Sequence, residues 1–181
     1  MIFSIFRQKK HEPAIEPLYG AIMAAALNPE LYLHFDVPDT FEGRFESASL
    51  HVAMVLRRLR QLPPPAENAA QELVDRFFDG LDSAMRQTGV SDNALPKRIK
   101  KFAQGFYGRL ESYTEALEPD APQSQLAEVL QRNLLEGAEA SPDLCAYVRN
   151  LMMRLQGVTL EQLMENTMVF KDNPRNEDAR S

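Results

Sequence analysis

Two consecutive stretches of the sequence, 66–88 and 95–117, carry apolar residues at the three- and four-residue spacing of an α-helix. Gly89 separates them, and a glycine at this point is typical of a helix end. The residues that this spacing places on the two buried faces are Ala70, Leu73, Val74, Phe77, Phe78, Leu81 and Met85, followed by Ile99, Phe102, Ala103, Phe106, Leu110, Tyr113 and Leu117. A chain with this pattern buries its apolar surface by packing helix against helix.

Several helix starts are also marked in the sequence. Asp92 or Asn93 is expected to cap the second of these helices, and Pro96 suits its first turn, where an N–H group has no helical partner. Three further helices are expected to begin at a residue whose hydroxyl side chain can cap them: Thr40, Ser141 and Thr159. Gln162 lies three residues after Thr159, which is the spacing of a capping box.

The stretch 41–60 differs from the other helices because it is apolar on two faces. Leu50 and Met54 lie on the side opposite to its main apolar stripe, which indicates a helix in the middle of a bundle. Its last turn is basic, which suits the partial negative charge of a helix C-terminus or, alternatively, forms part of a binding patch. The three cations concerned are Arg57, Arg58 and Arg60.

The chain as a whole is predicted to be an all-α, compact single-domain bundle of about six to seven helices. Its 181 residues match the size of one domain. We place the helical domain at 14–170, with 31–39 as an apolar connecting segment between two helices. Residues 1–13 are expected to form a flexible N-terminus, and the polar residues 171–181 a disordered tail.

Composition excludes several classes of protein. The net charge of −6 argues against a general nucleic-acid binder, including a DNA-binding protein. A single cysteine, Cys145, rules out an internal disulfide, and its position in an apolar pattern predicts a buried, inert thiol. The sequence has neither a secretory signal nor an apolar run long enough to span a bilayer, so a cytoplasmic protein is expected.

Charge is unevenly distributed along the chain. Residues 97–109 contain five basic and no acidic side chains, whereas 111–181 contain 6 basic and 13 acidic ones. In the helix predicted over 95–117, Gly105 and Gly108 fall on the side that carries these basic residues. An exposed glycine in the middle of a helix costs about 1 kcal/mol relative to alanine. These glycines indicate either that another backbone approaches closely or that the cost is simply tolerated.

Two blocks of sequence resemble the signature blocks of the ubiquinol-cytochrome c chaperone family. They are GVSDNALPKRIKKFAQGFYGRLESY at 89–113 and FDVPDTFEGRFESASLHVAMVLRRL at 35–59, and with the helix between them they span about Leu18 to Leu117. The chain beyond Glu118 shows no comparable block. The resemblance implies a chaperone for assembly of the cytochrome bc1 complex that binds newly made cytochrome b and uses no cofactor. Homologues in mitochondria are associated with the ribosome and with a small partner protein.

The position of residues in the matched block implies where such a protein binds its partner. Four cations are expected to dock the partner electrostatically: Lys97, Arg98, Lys100 and Lys101. Phe106, Tyr107 and Arg109 are expected to form the adjoining contact. For Phe106 the helical spacing also allows a core position, whereas Tyr107 lies at the margin of the apolar stripe.

The first ten residues combine apolar and cationic side chains in the way that an interfacial membrane anchor does. The residues concerned are Ile2, Phe3, Ile5, Phe6, Arg7, Lys9 and Lys10. They indicate peripheral contact with the inner membrane, and the alternative is a frayed terminus.

Other classes of function find less support. The same basic helix fits a ribosome- or RNA-associated adaptor, whose binding would weaken steeply with added salt. A catalytic role has no support, since no phosphate loop, nucleophile elbow or metalloprotease motif is present. His51 is interpreted as a satisfied histidine at the core edge, and Asp82 with Arg86 as an ion pair on a solvated acidic face instead of a metal site.

Overall fold

The computed structural model describes residues 15–165 and 167–170. Within these ranges the chain forms eight α-helices and a final 3-10 turn, and no strand, which confirms the all-α prediction. The elements are α1 (Ile15–Ala26), α2 (Pro29–His34), α3 (Phe41–Arg60), α4 (Ala66–Gln87), α5 (Leu95–Ala116), α6 (Gln123–Asn133), α7 (Pro142–Gln156), α8 (Leu160–Glu165) and the 3-10 turn (Thr167–Phe170). The predicted flexible N-terminus at 1–13 and disordered tail at 171–181 lie outside the described residues.

Helix α3 lies at the centre of the molecule. It contacts α1, α4, α5 and α7, and it is buried along most of its length. Leu50 and Met54, on the side away from its main stripe, are 1% and 0% exposed. The central position predicted from the two apolar faces of α3 is therefore confirmed.

Helices α3, α5 and α7 run in the same direction. Phe45 and Phe102 pack edge to face near the starts of α3 and α5, with ring centroids 4.6 Å apart. Near their ends, Arg57 of α3 donates a hydrogen bond to the carbonyl of Leu117, 3.2 Å away. Helix α4 is joined to α3 and α5 by short links and packs against both in the opposite direction. The start of α5 therefore lies at the same end of the bundle as the start of α3.

The caps predicted for α3, α7 and α8 are present. The side chain of Thr40 accepts a hydrogen bond from the N–H of Gly43 at 3.0 Å, and that of Ser141 accepts one from Leu144 at 3.1 Å. Thr159 and Gln162 form both hydrogen bonds of a capping box, at 2.9 and 3.2 Å. Each cap occupies N–H groups that would otherwise have no partner within the helix.

The link between α4 and α5 differs in part from the prediction. Helix α4 ends at Gln87, just before the expected stop at Gly89, whose φ of +80° is the left-handed conformation that glycine adopts most readily. The predicted cap of α5 is wrong, because Ala94 occupies the N-cap position and offers no side-chain hydrogen bond. Asp92 instead pairs with Arg86, which also binds Asp82 at 2.7 Å as predicted.

A short helix, α2, occupies part of the predicted connecting segment. Pro29 stands at its first turn, and the side chain of Asn28 caps it by accepting a hydrogen bond from the N–H of Glu30 at 3.0 Å. The pair Asn28–Pro29 follows the end of α1 directly, so it reads equally well as a stop signal for α1 and as a start signal for α2.

The arginines at the end of α3 hold other elements in place. Arg57 is only 6% exposed and also pairs with Glu118 at 3.1 Å, which ties α3 to the end of α5. Arg58 donates from Nε and Nη2 to the carbonyl of Val158, at 2.9 and 2.8 Å, and so binds the segment after α7. Arg60 is exposed. All three arginines stand in the last turn of α3, as the match to the helix dipole predicts. Arg57 and Arg58 do not form a binding patch, because carbonyl and carboxylate groups of neighbouring elements already bind them.

The C-terminal elements complete the core. Helix α8 and the 3-10 turn both pack against α1, with Leu163 and Phe170 buried. Arg154 of α7 donates a hydrogen bond to the carbonyl of Val169 at 3.1 Å and so holds the turn. Cys145 is buried as predicted, and burial raises the pKa of its thiol.

Candidate partner-binding surface

Four cations project from the first two turns of α5 into solvent. We call them the cationic face: Lys97, Arg98, Lys100 and Lys101, all exposed. None of the four forms an ion pair with another residue in the described part of the chain. Their side chains are therefore available to a partner, as the sequence predicts.

The cationic face points outward because the opposite side of α5 is anchored in aromatic side chains. Phe102 packs edge to face on Phe41 and Phe45 of α3, with centroids 5.8 and 4.6 Å apart. Ile99 and Phe106 are 2% and 0% exposed. With the apolar stripe anchored in this way, residues half a turn away must face solvent.

The charges of α5 are arranged against its own dipole. A helix N-terminus carries partial positive charge, which favours acidic residues there, and a C-terminus favours basic ones. The first turn of α5 contains no acidic residue and the last turn no basic one, and Glu111 and Glu115 follow the cations towards the C-terminus. The three charges that oppose the dipole within the terminal turns, Lys97, Arg98 and Glu115, each cost about 0.3–1 kcal/mol at low ionic strength. The same arrangement concentrates positive potential at the start of α5, where an anionic group would bind.

Tyr107 borders the cationic face and is half exposed. Its ring packs edge to face against Phe106, with centroids 5.5 Å apart, and 50% of its surface is open to solvent. Partial burial and the nearby carboxylate of Asp75 raise the pKa of its hydroxyl, against the opposing effect of Arg60. Tyr107 therefore presents a neutral ring with a hydrogen-bonding tip, which suits contact with a mixed polar and apolar partner.

Phe106 does not contribute to this surface. It is fully buried between Phe77 and Phe78 of α4, with ring centroids 5.2 and 5.5 Å away. The expectation that it contacts a partner is corrected here, because no part of its ring reaches solvent. The core position that its helical spacing allowed is the one observed.

Arg109 is held by the protein itself. Its Nε and Nη2 groups donate to the two carboxylate oxygens of Glu46 on α3. Burial raises the pKa of the Glu46 carboxyl, while the hydrogen bonds and charge of Arg109 act in the opposite direction. Releasing Arg109 to a partner would leave Glu46 half-buried and unpaired, so we assign Arg109 to the packing of α5 on α3.

The two glycines of α5 have different surroundings. A Cβ atom at Gly105 would come within 2.6 Å of Nη1 of Arg109, so this glycine leaves room for the arginine to reach Glu46. A Cβ atom at Gly108 would meet nothing within 4 Å. No other element of the described chain needs the space beside Gly108, so the structure of the single chain gives no reason for a glycine there.

Other exposed apolar side chains lie away from α5. Leu33 on α2 and Met153 on α7 are 70% and 61% exposed, and Leu27 after α1 is 42% exposed. The predicted membrane-contact segment, from Ile2 to Lys10, lies outside the described residues. No helix in the described ranges has the length and apolar character needed to cross a membrane.

Comparison with known proteins identifies the family. A family model described as "Ubiquinol-cytochrome C chaperone" matches residues 33–170. The chain belongs to the ubiquinol-cytochrome c chaperone family. The match confirms the resemblance of the two sequence blocks and extends it beyond Glu118, across α6, α7 and α8 to the 3-10 turn.

Relatives of this family member include three vertebrate proteins named ubiquinol-cytochrome c reductase complex assembly factor 1. Over 139 residues it is 27% identical to the mouse and human proteins and 25% identical to the Xenopus laevis protein, in each case across 75% of this chain. The aligned region amounts to 46% of the mouse and human proteins and 68% of the Xenopus one. The chain thus spans about half the length of the mammalian relatives.

A solved structure shares the fold of this family member. The crystal structure of the Cbp3 homolog from Brucella abortus superposes with a TM-score of 0.74 at 37% sequence identity. The superposition covers 91% of this chain and 93% of the Brucella chain. These matches favour the assembly-chaperone hypothesis over the RNA-adaptor alternative.

Proposed function

We propose that this protein is an assembly chaperone of the cytochrome bc1 complex that binds newly made cytochrome b. The family match over residues 33–170 carries the proposal, and the names of the vertebrate relatives point to the same complex. In this proposal the protein holds its client and catalyses no reaction. It acts at the cytoplasmic side of the inner membrane, with residues 1–13 as the segment that contacts the membrane.

The cationic face of α5 and the neighbouring Tyr107 form the proposed docking surface. The four cations have no ion-pair partner in the described chain, and the dipole of α5 adds to their positive potential. Such a surface attracts an anionic segment at a membrane boundary, while the ring of Tyr107 offers apolar contact beside it.

Neutralising two of these cations tests the docking surface. Changing Lys100→Gln together with Lys101→Gln is expected to reduce the recovery of cytochrome b in a pull-down by about threefold to tenfold, since each exposed charge contributes up to about 1 kcal/mol. The control carries Gln123→Glu with Ser124→Glu, which makes the same change of net charge in the exposed first turn of α6. If both variants recover equal amounts of cytochrome b, the docking surface lies elsewhere.

Depletion of the protein tests the function separately from the surface. Cells that lack it should contain less assembled bc1 complex and should lose newly made cytochrome b more rapidly. Wild-type levels of the complex after depletion would contradict the proposed function, whatever the pull-down shows.

A further inference from the structure

The outer face of α5 carries charges of opposite sign in a symmetrical order around position 106. Lys97 and Glu115 lie nine positions before and after it, and Lys101 and Glu111 lie five positions before and after it. Because eighteen residues make five full helical turns, Lys97 and Glu115 share one line along the helix, about 27 Å apart. The N-terminal half of this face is therefore positively charged and its C-terminal half negatively charged.

All of this face is open to solvent. Its six members are exposed: Lys97, Lys101, Gln104, Gly108, Glu111 and Glu115. The lysines and glutamates form no ion pair with one another or with the rest of the described chain. Gly108 lies near the middle, with nothing within 4 Å of the place where a Cβ atom would stand.

We propose that α5 pairs antiparallel with α5 of a second copy of this chain, about a two-fold axis at the level of residue 106. In this arrangement Lys97 lies opposite Glu115 of the second copy, and Lys100 and Lys101 lie at the level of its Glu111. Each contact occurs twice, as in any interface between two identical surfaces related by a two-fold axis. Two such faces bring opposite charges together only when the two helices are antiparallel.

The pairing accounts for two features that the single chain leaves unexplained. Charges that oppose the dipole of their own helix become favourable when each half meets the opposite half of the second helix. Gly108 meets Gln104 of the second copy near the crossing point, where the missing side chain allows the two helices to come closer than the usual 8–10 Å. This close approach is the backbone contact that an exposed glycine in mid-helix indicates.

The pair is expected to be weak. One helix face buries less than the roughly 800 Å² per partner of a standard interface, and exposed ion pairs add little individually. We therefore expect a dissociation constant on the order of 100 µM, so that the chain exchanges between single and paired forms.

Charge exchange between two variants tests the pairing with purified protein alone. The first variant makes the face wholly negative and carries Lys97→Glu, Lys100→Glu and Lys101→Glu. The second makes it wholly positive and carries Glu111→Lys and Glu115→Lys. By sedimentation velocity each should be monomeric on its own. An equimolar mixture should form a one-to-one complex at least as tight as the wild-type pair, since each facing contact again joins opposite charges.

A third variant controls for net charge. Glu128→Lys with Glu139→Lys has the same net charge as the positive-face variant, but these exposed residues lie outside α5. Mixed with the negative-face variant, it should form no complex with that variant and should pair only with itself, as tightly as the wild type does. Circular dichroism confirms that each variant is folded.

Three outcomes would overturn the pairing. The first is a wild-type protein that stays monomeric up to millimolar concentration. The second is a mixture of the two face variants that does not associate, and the third is a control mixture whose two variants associate with each other as tightly. None of these measurements involves cytochrome b, so they leave the proposed function untouched. If the pairing holds, it occupies the same lysines as the proposed docking surface, and client and second copy exclude each other.

Discussion

His51 of α3 is fully buried, with both ring nitrogens in hydrogen bonds. Nδ1 lies 2.7 Å from the carbonyl of Ser47, and Nε2 lies 2.7 Å from the hydroxyl of Tyr147 on α7. Because a carbonyl can only accept, the proton must be on Nδ1, and Nε2 accepts from Tyr147. This is the satisfied histidine that the sequence predicts, although it lies inside the core and not at its edge. Burial lowers its pKa from 6.5 to about 4, against the opposing effect of the Ser47 carbonyl.

The lowered pKa of His51 makes stability depend on pH. The unfolded chain binds the proton as the pH falls below 6.5, whereas the folded protein resists it until about pH 4. The stabilisation is present above pH 6.5 and is lost between 6.5 and 4. We expect this residue to remove about 2 kcal/mol of unfolding free energy between pH 7 and pH 5. Urea titrations of wild type and His51→Gln check this, and an unchanged pH slope in the variant would contradict it.

Substituting alanine for two of the glycines, Gly43 and Gly108, should change the stability of the protein in opposite directions. A Cβ atom at Gly43, in the first turn of α3, would stand 1.9 Å from the backbone oxygen of Pro38, which cannot move without shifting the chain. Gly43→Ala should therefore destabilise the protein by about 1–3 kcal/mol. Gly108→Ala meets open space and should stabilise it by up to about 1 kcal/mol. Thermal unfolding of the two variants compares them directly, and shifts in the same direction would contradict the difference in their surroundings.

Among the contacts between helices, Arg57 joins α3 to α5. It is 6% exposed and donates to the carbonyl of Leu117, just past the end of α5, where helix carbonyls have no partner within the helix. Arg57→Ala would leave that carbonyl and the Glu118 carboxylate without this donor, and should lower the unfolding free energy by about 1–3 kcal/mol. Arg60→Ala, three residues further and exposed, should change it by less than about 0.5 kcal/mol. Chemical denaturation of both variants measures the difference, and equal losses would refute the joining role of Arg57.

The long helices and most of their caps could be predicted from the sequence. Apolar stripes and caps are local, so the long helices and the roles of Thr40, Ser141 and Thr159 could be read from neighbouring residues. Helix α2 was missed because six residues are too few to show a helical period. The cap of α5 was misplaced because Ala94, and not Asp92 or Asn93, stands at the N-cap position, while Asp92 pairs with Arg86 on the preceding helix.

The candidate surface was predictable only where it depended on one helix. Exposure of the four cations follows from the position of the apolar stripe of α5, so the sequence predicts it correctly. The pairing of Arg109 with Glu46 joins residues 63 positions apart, and no local pattern indicates it. The room that Gly105 leaves for that arginine is likewise visible only in three dimensions.

The central position of α3 affects the order in which the complete fold can form. Its contacts reach far along the chain: His51 and Tyr147 are 96 residues apart, and Arg58 and Val158 are 100 residues apart. Most of the polypeptide must leave the ribosome before the middle helix gains its last partners. The protein therefore reaches its finished shape late in its own synthesis, and a nascent copy still lacks part of its interior when its first helices emerge.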